Sequence, residues 1–228
     1  MKILDRPSPN HGARRGCDRP DMILIHHTAM ETAAAAIERL CDPETEVSAH
    51  YVISENGQVT RLVAEERRAW HAGVGQWGAV TDINSHSIGI ELANPASLGG
   101  FPPFPEPQMA ALEALIADTR MRWEIPPERV LGHSDTAPGR KFDPGPKFDW
   151  RRLARSGHAI WPAPVETGAS EWSEFKRAAH RAGYREPEQG WEAVLEALRL
   201  RFRPWALNAP LDAEDIAIVE GLPEETTT

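Results

Sequence analysis

Residues 130–145 read VLGHSDTAPGRKFDPG, a stretch punctuated by Pro and Gly that holds a histidine, a lysine and an aspartate close together. His133 and Asp143 are donor types that bind zinc, and Lys141 sits beside them. Two donors do not make a centre. A catalytic zinc takes three protein ligands and leaves a fourth position for water, and two histidines with one carboxylate are an established set. His26 ends the apolar run 22–25 and offers the third donor, because strand ends in an α/β sheet can converge on one edge. Taken singly, each residue has a blander explanation. A lone histidine at a strand end is usually core or surface filler, and an aspartate before a proline is usually a turn residue.

Glu91 shifts that balance. It falls in SIGIEL (87–92), an otherwise apolar strand, where a carboxylate must be paired or face a polar cleft. A general base beside a zinc-bound water is one such use; a structural ion pair with an arginine is the other. Lys141 suits the stabilisation of a developing oxyanion, and equally suits an exposed loop.

The elements that must position these residues can be read from the pattern. Residues 1–21 read as an extended lead-in, and 22–25 (MILI) as a buried strand. Residues 31–40 are Ala-rich and predict a helix. Residues 47–54 have strand composition. The Asn56-Gly57 turn then returns 58–63 as the second arm of a hairpin. Residues 64–86 are mostly irregular but rich in Trp, His and Gly, which marks a functional loop. After the strand 87–92 and a Pro/Gly-rich loop, Pro107 opens a helix with Met109, Leu112, Leu115, Ile116 and Trp123 along or near one face. A brief strand at 129–131 feeds the opening loop, and 150–154 form a short helix. Strands alternating with helices, plus one hairpin, predict an α/β domain with a mixed central sheet flanked by helices. The expected divisions are a catalytic domain over 1–162, a linker over 163–170, a small three-helix module over 171–222 and a disordered tail over 223–228.

Composition narrows the function. The chain has 228 residues and a formal charge of −9, which disfavours a nucleic-acid partner held through phosphates. Cys17 and Cys41 are expected as two unpaired thiols, since a secreted disulfide scaffold would carry more. No apolar run reaches the roughly 18 residues needed to span a bilayer. The N-terminus shows no apolar signal segment, so a cytoplasmic site is expected, or a periplasmic one if a leader has been trimmed.

Five motifs in order, IHHTA (25–29), SAHYVI (48–53), WHAG (70–73), SIGIEL (87–92) and GHSDTAPGRKFDPGP (132–146), resemble the zinc-dependent N-acetylmuramoyl-L-alanine amidases of the amidase-2 type. That family shares its fold with the peptidoglycan recognition proteins. The resemblance implies zinc on His26, His133 and Asp143, Glu91 as the residue that activates water, and Lys141 as the group that polarises the scissile carbonyl. It implies hydrolysis of the amide between muramic acid, or its anhydro form, and L-alanine of the stem peptide. Cytoplasmic recycling of muropeptides is the expected role. An extracytoplasmic amidase acting on intact peptidoglycan, and a non-catalytic recognition protein, are the alternatives. His71, Trp70, Trp77, Asn84 and His50 are candidates for the substrate cleft, with His50 read first as a buried support of the metal shell. His27, where relatives often carry Tyr or Asn, is expected to point away from the metal, because neighbouring strand residues face opposite sides. His11, His86, His158 and His180 are read as surface. The C-terminal module resembles, more weakly, a three-helix peptidoglycan-binding domain.

Overall fold

The computed structural model describes residues 2–163, 165–166 and 171–225. Within the first 162 residues the elements are β1 (Ile3–Asp5), β2 (His11–Ala13), β3 (Met22–His27), α1 (Ala33–Cys41), β4 (Tyr51–Ile53), β5 (Val59–Arg61), β6 (Arg67–Ala69), α2 (Ile83–His86), β7 (Ser87–Leu92), α3 (Glu106–Trp123), β8 (Val130–Gly132), α4 (His133–Thr136) and α5 (Trp150–Arg155). Beyond them lie α6 (Trp172–Arg181), α7 (Trp191–Phe202) and α8 (Ala213–Glu220). Six strands form one mixed sheet in the order β1-β5-β4-β7-β3-β8. Only the β4–β5 hairpin is antiparallel; β3 runs parallel to both β7 and β8. The mixed α/β architecture read from the pattern is therefore the one observed. The expected lead-in and irregular stretch hide the short strands β1, β2 and β6, each too brief to leave a periodicity. Here β2 pairs with β6 in a two-stranded ribbon outside the main sheet.

The central strands are buried on both faces, which is why they read as continuous apolar runs. Ile23, Ile25, Ile88 and Ile90 pack under Met109, Leu112 and Ile116 of α3. On the opposite face, Met22, Leu24 and Leu131 share one apolar cluster with Phe175, Leu195, Leu198, Phe202 and Ile216 of the C-terminal helices. Those helices thus complete the second layer over the sheet. Residues 164 and 167–170 of the expected linker, and 226–228 of the expected disordered tail, lie outside the described residues. Glu225 departs from that expectation. Its carboxylate pairs with Arg129 and accepts a hydrogen bond from Trp77 Nε1 at 3.0 Å. Among the described residues no helix is long and apolar enough to cross a membrane.

Candidate active site

Sheet pairing brings the distant residues together. His26 and Glu91 are partners in register on β3 and β7, so both side chains leave the same face of the sheet. Ile25 is paired with Gly132 on β8, and His133 follows at once as the first residue of α4. The chain then loops back, and the Ser134 amide donates to the Asp143 carbonyl at 3.0 Å, fixing the second donor residue against the helix start. Two glycines make this approach possible. A Cβ on Gly132 would stand 2.9 Å from Pro144 Cδ, and one on Gly89 would stand 2.5 Å from the His71 ring.

His26 Nδ1, His133 Nδ1 and Asp143 Oδ2 form a triangle with edges of 3.0, 2.9 and 3.1 Å. The residues at its corners lie 107 and 117 positions from His26 along the chain. The outer nitrogens assign the protons. His133 Nε2 donates to the Ala72 carbonyl at 2.8 Å, which leaves its Nδ1 a lone pair. Ser87 Oγ donates to the Ile83 carbonyl, and His71 Nε2 faces that hydroxyl oxygen at 3.4 Å. Assigned from this network, His71 accepts at Nδ1 from His26 Nε2 at 3.0 Å, and His26 Nδ1 also keeps a lone pair. Burial first, then the neighbouring His133, lowers the His26 pKa to about 4. Burial alone would raise Asp143, but His133 and His26 outweigh it and hold the carboxyl well below the usual range. In that assignment the two imidazole lone pairs and the carboxylate oxygen are aimed at one spot. A cation about 2 Å from each satisfies all three, and two imidazoles with one carboxylate suit zinc. The donor set fits the metal the motifs imply.

Around the triangle lies a cleft of about 370 Å³ lined by α1, the 70–71 segment, Glu91 and residues 140–143, a volume typical of small-molecule sites. Glu91 Oε2 is buried and has no hydrogen-bond partner. Burial, and then the Asp143 charge, push its pKa up to about 8. Among the described residues no arginine pairs with it, so the structural ion-pair explanation fails. Lys141 lines the same cleft from an exposed loop. A larger groove of about 670 Å³ meets the cleft at Arg140 and continues between residues 73–76 and 185–189.

Among the five candidates for substrate contact, Trp70 and His71 line the cleft. The other three do not. His50 is fully buried, accepting from the Gly89 amide at 2.9 Å and donating to the Arg67 carbonyl at 3.0 Å. Asn84 spends its side-chain oxygen on the His71 and Ala72 amides at 2.9 and 2.8 Å. Trp77 is core, its ring 4.9 Å from that of Tyr184. In each case an interior hydrogen bond or apolar contact outcompetes exposure. His27 alternates away from His26, yet it borders the cleft and its ring packs 5.5 Å from Phe142. Sequence reading passed over Arg140, whose guanidinium donates to the Ala72 carbonyl at 2.6 Å, the acceptor His133 also uses. Its place next to Lys141 was the available signal.

Comparison with known proteins gives a consistent result. Residues 16–146 match the family described as N-acetylmuramoyl-L-alanine amidase. The chain is 35% identical over 240 residues to the N-acetylmuramoyl-L-alanine amidase AmiD of Escherichia coli K12, covering 93% of this chain and 86% of that protein. It is 33% identical over 167 residues to the 1,6-anhydro-N-acetylmuramyl-L-alanine amidase AmpD of the same organism, covering 64% of this chain and 87% of AmpD. Among solved structures, AMPDH3 from Pseudomonas aeruginosa in complex with anhydromuramic pentapeptide superposes with a TM-score of 0.81 at 31% identity, over 95% of this chain and 94% of that one.

Proposed function

The chain belongs to the N-acetylmuramoyl-L-alanine amidase family and is an amidase, and from that membership we propose that it is a zinc enzyme of muropeptide breakdown, with His26, His133 and Asp143 holding the ion. The bond cut is the amide between the lactyl group of N-acetylmuramic acid, in its ordinary or 1,6-anhydro form, and L-alanine of the stem peptide. The observation that carries this reading is the triangle of His26, His133 and Asp143 donors, set in a cleft beside a buried carboxylate oxygen with no hydrogen-bond partner.

Zinc, when bound, acts as a Lewis acid towards the carbonyl and its water. The remaining work falls to this chain's own side chains. Glu91 Oε2 accepts the proton of the attacking water and passes it to the departing L-alanine nitrogen. Among the described residues that oxygen is buried and has no other hydrogen-bond partner. The Lys141 ammonium stabilises the negative charge that grows on the carbonyl oxygen. The outer hydrogen bonds of His26 and His133 keep both imidazoles aimed inward.

The favoured substrate is a soluble anhydro-muropeptide, supported by the anhydromuramic pentapeptide in the similar Pseudomonas complex. Recycling of such fragments in the cytoplasm is the role proposed. The reading is tested by incubating the zinc-loaded protein with anhydro-muropeptide and, separately, with intact sacculi, and following free stem peptide by mass spectrometry. Release from the fragment supports the proposal. Release from sacculi alone moves the substrate to the polymer, and no release from either sinks it. Fractionation of the native cell tests the compartment.

A further inference from the structure

We infer that the C-terminal helices act as a buttress of the metal centre, with Arg201 and Tyr184 as positioning residues for His133. The inference rests on the metal site proposed above. Asp135 is the pivot. It lies two positions after His133 in α4 and is almost wholly buried. Its Oδ2 accepts from the Gly132 amide at 2.8 Å and so closes the turn that presents His133. Both carboxylate oxygens are completed from the helical module. Arg201 of α7 reaches Oδ2 at 2.9 Å, and the Tyr184 hydroxyl donates to Oδ1 at 2.7 Å.

The guanidinium that holds Asp135 also donates to the Val130 carbonyl at 3.1 Å and lies 4.3 Å from the centroid of the Trp150 ring. It therefore grips β8, α4 and the start of α5 together. Tyr184 meanwhile packs on Trp77, on the segment whose Gln76 amide donates to the Thr136 carbonyl at 2.7 Å. Without Arg201, Asp135 would be a buried carboxylate lacking its counter-charge. The turn that aims His133 would then have to open to water. A module that merely tethered the enzyme to its polymer would have no reason to send a charged side chain to the residue that caps the ligand's own turn.

The test uses the full chain and reads metal affinity, by competition of zinc against a chromophoric chelator, together with the visible spectrum of the cobalt-substituted protein. Arg201→Met should weaken zinc binding by about 10- to 100-fold, the range for residues that orient a ligand from behind. Tyr184→Phe keeps the ring on Trp77 and should weaken it by up to about 10-fold, with a shifted cobalt spectrum. Arg203→Lys perturbs ion pairs internal to the module and should lower the Tm without moving either metal readout. If Arg201→Met fails to fold, Tyr184→Phe decides. Wild-type metal affinity and spectrum in a folded Tyr184→Phe protein overturn the buttress, as does an equal loss in Arg203→Lys. A wild-type chain that binds no zinc at His26, His133 and Asp143 overturns the metal centre itself, a result distinct from either.

Discussion

Two buried clusters of ionisable groups in this molecule are built on opposite rules. In the C-terminal helices, Arg199 and Asp215 are both fully buried. They meet at 2.6 Å, Arg203 adds a second cation at 2.7 Å, and the Pro210 carbonyl accepts another Arg199 proton at 2.8 Å. Every charge there has its counter-charge inside the protein. At the strand ends, His26, His133 and Asp143 bring three donor atoms within about 3 Å of one another, and Glu91 stands by with a buried oxygen that has no hydrogen-bond partner. The first cluster is complete as folded; the second gathers a donor set that could hold a cation beside a carboxylate oxygen with no partner. Burial and titratable side chains are common to both, so neither feature by itself marks a functional site. The mark is an electrostatic balance left open.

The sharpest way to break this contrast is His133→Ala, which should abolish zinc binding and activity together, with metal content read by atomic absorption alongside turnover. An active variant would show that the triangle is not the metal site. Next in size, Glu91→Ala should retain its zinc while turnover falls roughly 10²- to 10⁴-fold; a near-normal rate would remove Glu91 from proton transfer. Asp215→Asn, in the balanced cluster, should lose stability of about 3–5 kcal/mol, because two buried arginines are left without their partner. Its zinc affinity should stay at the wild-type value in chelator competition.

The smallest effect concerns metal-free protein. Burial raises the folded-state pKa of Glu91 to about 8, so the neutral carboxyl is favoured on folding. At a pH below the ordinary carboxylate range, Glu91 is protonated in both folded and unfolded chains, and Glu91→Gln should leave the Tm almost unchanged. As pH rises through 8 the folded chain must carry a buried charge, and wild-type stability falls. The Tm advantage of metal-free Glu91→Gln should therefore emerge between pH 5 and 9 in calorimetry. A constant difference across that range would mean that the carboxylate is solvated in solution.

Much of the frame was legible in the linear chain. The run MILI, the alternating SIGIEL with its misplaced Glu91, the Asn56-Gly57 turn and the face of α3 each carry a local pattern that burial enforces, and each appears where the pattern put it. The short strands β1, β2 and β6 escaped because three residues cannot show a period. The sequence also placed Trp77 and Asn84 in the substrate cleft, which neither lines, whereas His50 is buried against His71 as first read. Their partners, Tyr184, the His71 amide and the Gly89 amide, come from other segments, and no local rule supplies them.

Local chemistry alone decided which residues could serve as ligands, base and cation, since donor type and strand composition belong to each residue and its neighbours. Convergence was decided only by tertiary structure. The His26 donor meets those of His133 and Asp143, more than a hundred positions further along, because β8 flanks β3 in parallel register and because the return loop is pinned at Ser134. The grip of Arg201 on Asp135 is of the same kind. A buried charge draws its meaning from what surrounds it in space, and that surrounding is assembled from parts of the chain that carry no mark of one another.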